Sequence, residues 1–117
     1  FQMVDDALDF APESVTGKPT GGDVREGKLT PPLRLHRDSL STEERSAFDA
    51  AFCAGLMTEA DAASIAESIR QAGYDDAVRR QADEFLDAAR QALETLPDRP
   101  ERELMRQMAD YVRDRKK

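Results

Sequence analysis

The stretch FQMVDDALD occupies residues 1–9 and predicts an amphipathic helix. At 3.6 residues per turn, one face carries an amide and three carboxylates: Gln2, Asp5, Asp6 and Asp9. The opposite face is apolar and suited to burial. The three like charges repel one another by roughly a few tenths of a kcal/mol per close pair. The face is therefore either a site for a hard divalent cation or an acidic helix start that complements the helix macrodipole, and this pattern alone leaves both open.

The loop that follows distinguishes between these two interpretations. Residues 17–31, GKPTGGDVREGKLTP, are rich in glycine and carry two lysines, Lys18 and Lys28, and another carboxylate, Asp23. Glycines let the backbone approach a phosphate closely, and lysines supply mobile positive charge. Carboxylates for Mg²⁺ beside lysines for phosphate are the two halves of a metal-diphosphate site. The loop therefore favours the cation site.

Together the two motifs, FQxxDDxLD and then GKxxGxDxxxGKxT, resemble the second aspartate-rich motif and following loop of the trans-isoprenyl diphosphate synthases, or polyprenyl synthetases. The resemblance implies an all-α, isoprenoid-synthase-type helical bundle. It also implies a prenyltransferase that joins isopentenyl diphosphate to an allylic diphosphate, with Mg²⁺ as cofactor. The Lys-Pro pair at residues 18–19 is more similar to the octaprenyl-type branch than to the farnesyl branch.

The resemblance implies a role for each polar residue of the two motifs. The carboxylates are implied as magnesium ligands or as partners of the water that magnesium keeps: Asp5, Asp6, Asp9 and Asp23. Asp5 is the direct ligand among them, and Asp23 the indirect partner. The diphosphate of the substrate is implied to contact Lys18 and Lys28, while Gln2 either holds the substrate or orients the aspartates. No side chain is needed as a covalent nucleophile or strong base.

Helix signals predict that the rest of the chain is all-α. Ser41 and Glu44 have capping-box spacing, Thr58 is expected to cap the next helix, and Gly73 to end it. The longest helix is expected at residues 74–96, with a buried apolar seam: Tyr74, Val78, Ala82, Phe85, Ala89, Ala92 and Leu96. A last helix follows, with its own apolar set: Leu104, Met105, Met108, Tyr111 and Val112. We expect the basic tail after it to lie outside the site: Arg113, Arg115, Lys116 and Lys117.

Composition excludes several classes of function. The chain has 117 residues, enough for one modest domain, and its net charge of −7 argues against non-specific nucleic-acid binding. No apolar run is long enough to span a membrane. A single cysteine cannot form an internal disulfide, which favours the cytoplasm.

The chain opens at Phe1 inside a motif and without a helix cap, so we expect the carboxy-terminal part of a longer single-domain synthase. Residues 1–31 would hold the second aspartate-rich motif and the diphosphate loop, and residues 32–117 the helical bundle. The first aspartate-rich motif would lie upstream, this piece alone would be inactive, and the full-length enzyme would be a homodimer. Two alternatives are a non-catalytic helical subunit or regulatory module of a synthase complex, and a generic acidic interaction domain. The latter leaves the linked motifs unexplained.

Overall fold

The structure is a computed structural model that describes residues 1–115. Lys116 and Lys117 of the basic tail lie outside the described residues. The described part contains eight helices: α1 (Gln2–Leu8), α2 (Glu13–Thr16), α3 (Gly22–Arg25), α4 (Pro31–Ser39), α5 (Thr42–Cys53), α6 (Glu59–Ala72), α7 (Tyr74–Glu94) and α8 (Pro100–Asp114). It contains no strand between residues 1 and 115, so the all-α prediction is confirmed.

Local signals set the helix ends where the sequence predicts them. Ser41 and Glu44 form a capping box, in which the Ser41 side chain accepts from the Glu44 N–H and the Glu44 carboxylate accepts from the Ser41 N–H. Thr58 and Asp61 form a second capping box at the start of α6. Gly73 ends α6 with a φ of 71°, a left-handed conformation that glycine adopts without strain.

Helix α1 lies against α4 and α7, and the helix and the residues that directly follow it contribute to two apolar clusters. The larger cluster joins the end of α1 to α3, α4, α5 and α6: Phe10, Val24, Leu33, Phe48, Ala62, Ala66 and Ile69. The smaller one joins α1 to α7 through Val4, Leu8 and Ala82, with Val112 of α8 packed against it. The carboxylate face of α1 is held in place because the apolar face of the helix is buried in the smaller cluster and Phe10, just after the helix, is buried in the larger one.

The predicted seam of α7 is confirmed only in its first half. Val78 and Ala82 are buried, but Phe85 is 62% exposed, and three further members of the seam are exposed: Ala89, Ala92 and Leu96. In α8 no residue is buried. A helical period marks which face is apolar, whereas burial requires a neighbouring element that covers it. Apart from the buried Leu93, the apolar seam in the second half of α7 has no such cover among residues 1–115, and most of the α8 stripe has none either.

The connection between α1 and α4, which the sequence presents as a loop, contains two one-turn helices, α2 and α3. Val24 of α3 is buried in the larger cluster and anchors the connection from within. None of the helices in the described part is both long and apolar enough to cross a membrane.

Candidate metal and diphosphate site

A cavity of about 320 Å³ opens between α1 and the connection that follows it. Its lining includes every residue that the two motifs single out: Gln2, Asp5, Asp6, Asp9, Lys18, Asp23 and Lys28. These residues are up to 26 positions apart in sequence (28 − 2), and the fold brings them to one surface. Four carboxylates and two ammonium groups therefore share one concave site.

Asp6 is the most buried of the four carboxylates, with 7% of the residue exposed. The amide Nε2 of Gln2, one turn earlier, donates a hydrogen bond to Asp6 Oδ1 at 2.7 Å. A buried charge needs such a partner because it has lost the hydrogen bonds of water. This contact is the second of the two roles expected for Gln2, that of orienting an aspartate.

Asp9 holds the connection against the end of α1. Its Oδ1 accepts from the Gly22 N–H at 3.0 Å, and its Oδ2 accepts from the Asp23 N–H at 2.9 Å. The Asp9 carbonyl accepts two more hydrogen bonds, from the Gly21 N–H at 2.8 Å and the Thr20 hydroxyl at 3.2 Å. Asp9 therefore ties residues 20–23 to α1 without any ligand.

Both glycines of the Gly21-Gly22 pair are needed for this docking. Gly21 has a φ of 74°, and a Cβ there would lie 2.9 Å from the Ala62 carbonyl oxygen of α6. A Cβ on Gly22 would lie 2.9 Å from Asp9 Oδ1. A side chain at Gly21 would push the connection away from the α6 backbone, and one at Gly22 would displace the Asp9 carboxylate that accepts its N–H. The pair therefore allows the connection to lie close to both helices.

Asp23 is the carboxyl group with the largest change in acidity. Burial raises its pKa to about 6, and repulsion from the carboxylates of Asp9 and Asp6 adds to the rise, against an opposing effect of Lys28. Burial also raises the pKa of Asp9, although the two backbone hydrogen bonds oppose the increase. Negative charge is thus concentrated at this end of the cavity, and a bound cation would relieve it.

The two lysines differ in their surroundings. Lys28 Nζ lies 2.6 Å from Glu26 Oε2, and both side chains are largely exposed. That carboxylate raises the pKa of Lys28, and an exposed pair of this kind contributes little to stability. Lys18 follows α2, where its backbone N–H donates to the Thr16 hydroxyl, and its side chain has no ion pair among residues 1–115. A diphosphate would meet one lysine directly and would compete with Glu26 for the other.

The structure brings one residue of the basic tail into the cavity, so the expectation that the tail lies outside the site is wrong for Arg115. Its Nη1 lies 2.8 Å from Asp5 Oδ1, and it lines the cavity. No local pattern could reveal this contact because the two residues are 110 positions apart (115 − 5). Arg113 does lie elsewhere, paired with Asp83 and Asp87 of α7.

The donor set fits Mg²⁺ in its chemistry but does not form a complete cage. All four candidate ligands offer carboxylate oxygen, the donor that Mg²⁺ prefers. Within residues 1–115, however, no group of three or more His, Cys, Asp or Glu side chains is gathered closely enough to hold an ion. Mg²⁺ commonly binds one or two carboxylates, keeps several waters and takes phosphate oxygens as further ligands. The site suits a cation that arrives with a diphosphate.

Comparison with known proteins identifies the family of the chain. The family model for polyprenyl synthetase matches residues 1–71. A geranylgeranyl diphosphate synthase of Methanosarcina mazei is 33% identical over 113 residues, which are 96% of this chain and 33% of that protein. Heptaprenyl diphosphate synthase component 2 of Geobacillus stearothermophilus is 36% identical over 116 residues, 96% of this chain and 34% of that protein.

The fold agrees as well. The crystal structure of a decaprenyl diphosphate synthase from Rhodobacter capsulatus matches with a TM-score of 0.82 and 35% identity, over 99% of this chain and 36% of that one. The chain spans about a third of the length of the relatives it matches. The family model covers more than half of the chain, including the whole predicted motif region. The chain belongs to the polyprenyl synthetase family.

Proposed function

We propose that this chain supplies the second aspartate-rich half of a prenyltransferase active site. The parent enzyme would condense isopentenyl diphosphate with an allylic diphosphate to make a polyprenyl diphosphate. One observation carries the proposal: a single cavity is lined by four carboxylates and by Lys18 and Lys28. The carboxylates suit divalent cations and the lysines suit phosphate oxygens, so the two sets together suit a diphosphate that arrives with divalent cations.

The chemistry that the site must promote is the departure of diphosphate. Bound Mg²⁺ would neutralise the negative charge that grows on the leaving group. The chain's own contribution is to hold oxygen donors in place beforehand, since Asp5 and Asp6 are carried by a helix whose opposite face is buried. Lys18 and Lys28 would contact the diphosphate oxygens, and Lys28 would leave Glu26 to do so.

The four carboxylates have different parts in this proposal. Asp5 is the direct metal ligand, and Asp6, oriented by Gln2, is a second ligand, directly or through water. Asp23 is an indirect partner whose charge is stabilised when a cation is near. Asp9 keeps its predicted place in the metal site, but its two carboxylate oxygens already hold the connection to α1. Its main contribution is therefore to position Asp23.

The finer features of the parent enzyme stay predictions. The relatives named above range in product from geranylgeranyl to decaprenyl diphosphate, so the octaprenyl-type assignment rests on the Lys-Pro pair alone. A homodimer and a cytoplasmic location are expected from the family resemblance and the single cysteine. We also propose that residues 1–31 and 32–117 belong to one domain, because the larger apolar cluster contains residues of both.

The alternative is a non-catalytic helical subunit or a regulatory module. Such a protein has no need for a carboxylate cluster and two lysines around one cavity. A replacement experiment separates the two functions: this chain takes the place of the matching third of the Rhodobacter capsulatus decaprenyl diphosphate synthase. We expect the hybrid to convert isopentenyl and allylic diphosphates to longer prenyl diphosphates. A folded hybrid without activity, beside an active parent, would favour the subunit.

The isolated chain provides a second measurement. Without the upstream aspartate-rich helix, Asp5 and Asp6 cannot complete the octahedral shell that Mg²⁺ requires. We expect calorimetric titration with Mg²⁺ and an allylic diphosphate to show weak binding or none. Submicromolar affinity would mean that this half-site is sufficient by itself.

A further inference from the structure

The guanidinium of Arg115 lies where a cation at Asp5 would be. Arg115 directly follows the last residue of α8, and its Nη1 is 2.8 Å from Asp5 Oδ1 inside the cavity. The Arg115 side chain is 20% exposed and that of Asp5 is 46% exposed. The contact is therefore a partly buried ion pair formed by the very carboxylate that the proposed function assigns to the metal.

Two further contacts fix Arg115 in this position. Its guanidinium carbon lies 4.5 Å from the centroid of the Phe1 ring, which is the geometry of a cation–π interaction. The carbonyl of Arg115 accepts a hydrogen bond from Arg79 Nη2 of α7 at 3.0 Å. The Arg115 backbone is thus held by α7 and its guanidinium by Phe1, and together these contacts place the guanidinium on Asp5.

The arginines of α8 itself pair with carboxylates outside the cavity, unlike Arg115. Arg102 pairs with Asp98, Arg106 with Glu94 and Glu103, and Arg113 with Asp83 and Asp87. All of these carboxylates lie on α7, α8 or the turn between them, and none lines the cavity. Arg115 alone among the arginines at residues 99–115 pairs with a residue of the motif region.

We propose that Arg115 is a positioning residue that acts as an internal counter-ion for Asp5 and competes with the divalent cation for that carboxylate. The inference rests on the proposed function, which places a cation at Asp5. A divalent cation and a guanidinium on one carboxylate would lie within a few ångströms of each other and would repel. Arg115 therefore has to move away from Asp5 when the cation binds, and until then it holds the carboxylate in the cavity.

The test is a Mn²⁺ titration of the 117-residue chain, followed by paramagnetic broadening of backbone amide signals near Asp5. This measurement detects weak binding and does not depend on turnover. We expect Arg115→Gln to bind Mn²⁺ about fivefold more tightly than the native chain, which is the scale of one partly exposed ion pair. Arg115→Lys, which keeps the charge, should fall between the two. Arg113→Gln, which removes an equal charge from the same helix, should leave the affinity unchanged.

A direct readout of the arginine accompanies the titration. Adding Mg²⁺ to the native chain should shift the Nε–H signal of Arg115 and leave that of Arg113 in place. If the Arg115→Gln variant does not fold, as a loss of its helical circular dichroism signal would show, this measurement on the native chain still tests the inference. Equal or weaker Mn²⁺ binding by a folded Arg115→Gln variant, or an unmoved Arg115 signal at saturating Mg²⁺, would overturn the inference and leave the metal site standing. Absence of Mn²⁺ binding near Asp5 in native chain and variant alike would overturn the inference, because no cation would then compete with Arg115 in this chain; the metal site of the parent enzyme is tested separately in the hybrid.

Discussion

The motif region at residues 1–31 and the α7–α8 hairpin are both amphipathic, but the hairpin leaves much of its apolar face exposed. In the motif region Val4, Phe10 and Val24 are 0–2% exposed, and the polar face lines a cavity. In the hairpin, the apolar residues Phe85 and Tyr111 are more than 60% exposed. Both regions have the same helical spacing, so the spacing does not explain this difference. The regions differ in how much of their apolar surface a neighbouring element covers.

The contacts that form the cavity differ from those that hold the α7–α8 hairpin. The cavity is built by contacts internal to the described part: α1 against α4 and α7, and the connection against α1 through Asp9. The hairpin is held to the rest through Ala82 and Val112, while ion pairs such as Arg90–Asp110 join α7 to α8 within it. The shape of the site should therefore respond to changes near Asp9 and resist changes on the exposed face of the hairpin.

The largest effect is expected at Asp5, measured in the hybrid enzyme described above. Asp5→Ala removes a charge that the proposed mechanism uses in the transition state, so kcat should fall about 100- to 1,000-fold with a smaller change in KM. Glu84→Gln, an exposed acidic residue on α7, is the control and should keep full turnover. Near-normal turnover of Asp5→Ala at saturating Mg²⁺ would remove Asp5 from the list of ligands.

The second effect concerns two apolar residues of α7. Leu93 is 8% exposed and Phe85 is 62% exposed. Leu93→Ala should lower the free energy of unfolding by about 2–3 kcal/mol because it leaves a cavity, while Phe85→Ala should change it by less than about 0.5 kcal/mol. Urea unfolding followed by circular dichroism measures both. A comparable loss for Phe85→Ala would mean that this face is covered in solution.

The helix boundaries could be predicted because their signals are local. The Ser41–Glu44 capping box and the glycine at Gly73 act within a few residues, and the structure has both. The burial of Phe85 was predicted wrongly because the period of α7 continues past the point where other helices cover it. Burial depends on elements distant in sequence, and no local pattern contains that information.

The site, like the helices, has features that the local sequence predicts and features that depend on the fold. Spacing and the family motif place Asp5, Lys18 and Lys28 as candidates, and all three line the cavity. Spacing could not show that Asp9 docks the connection or that Arg115 reaches Asp5, because both depend on how separate segments meet. The Gly21-Gly22 pair was a readable signal for a close backbone approach, yet its partners on α1 and α6 could only come from the fold.

The third effect tests whether Asp9 organises the connection. Asp9→Ala removes two hydrogen bonds to a charged acceptor and leaves the N–H groups of Gly22 and Asp23 without partners. We expect a loss of about 2 kcal/mol in the free energy of unfolding and faster hydrogen exchange at these two amides. Glu84→Ala is the control and should leave both amides protected. Unchanged exchange in Asp9→Ala would show that other contacts hold the connection.

The smallest effect is expected from Asp23, and it depends on pH. Its pKa is raised from 3.8 to about 6 in the folded chain, so the folded state holds a proton that the unfolded state has lost between these values. The stability from this group is present below about pH 4 and is lost as pH rises through 6. Asp23→Asn, which cannot ionise, should therefore be the more stable form at pH 7, by about 1 kcal/mol once partial exposure is allowed for.

The measurement is the difference in free energy of unfolding between Asp23→Asn and the native chain, followed from pH 4 to pH 7. This difference should be near zero at pH 4 and should grow through pH 6, because the uncharged side chain avoids the cost of burying a carboxylate and also the repulsion from Asp9 and Asp6. Glu67→Gln is a control of opposite sign. Its hydrogen bonds with Arg70 and Gln71 lower the pKa of Glu67, so its contribution is lost as pH falls. A pH-independent difference for Asp23→Asn would mean that the folded chain neither buries the Asp23 charge nor exposes it to repulsion from its neighbours, and the unfavourable charge that a cation would relieve at this end of the cavity would be absent.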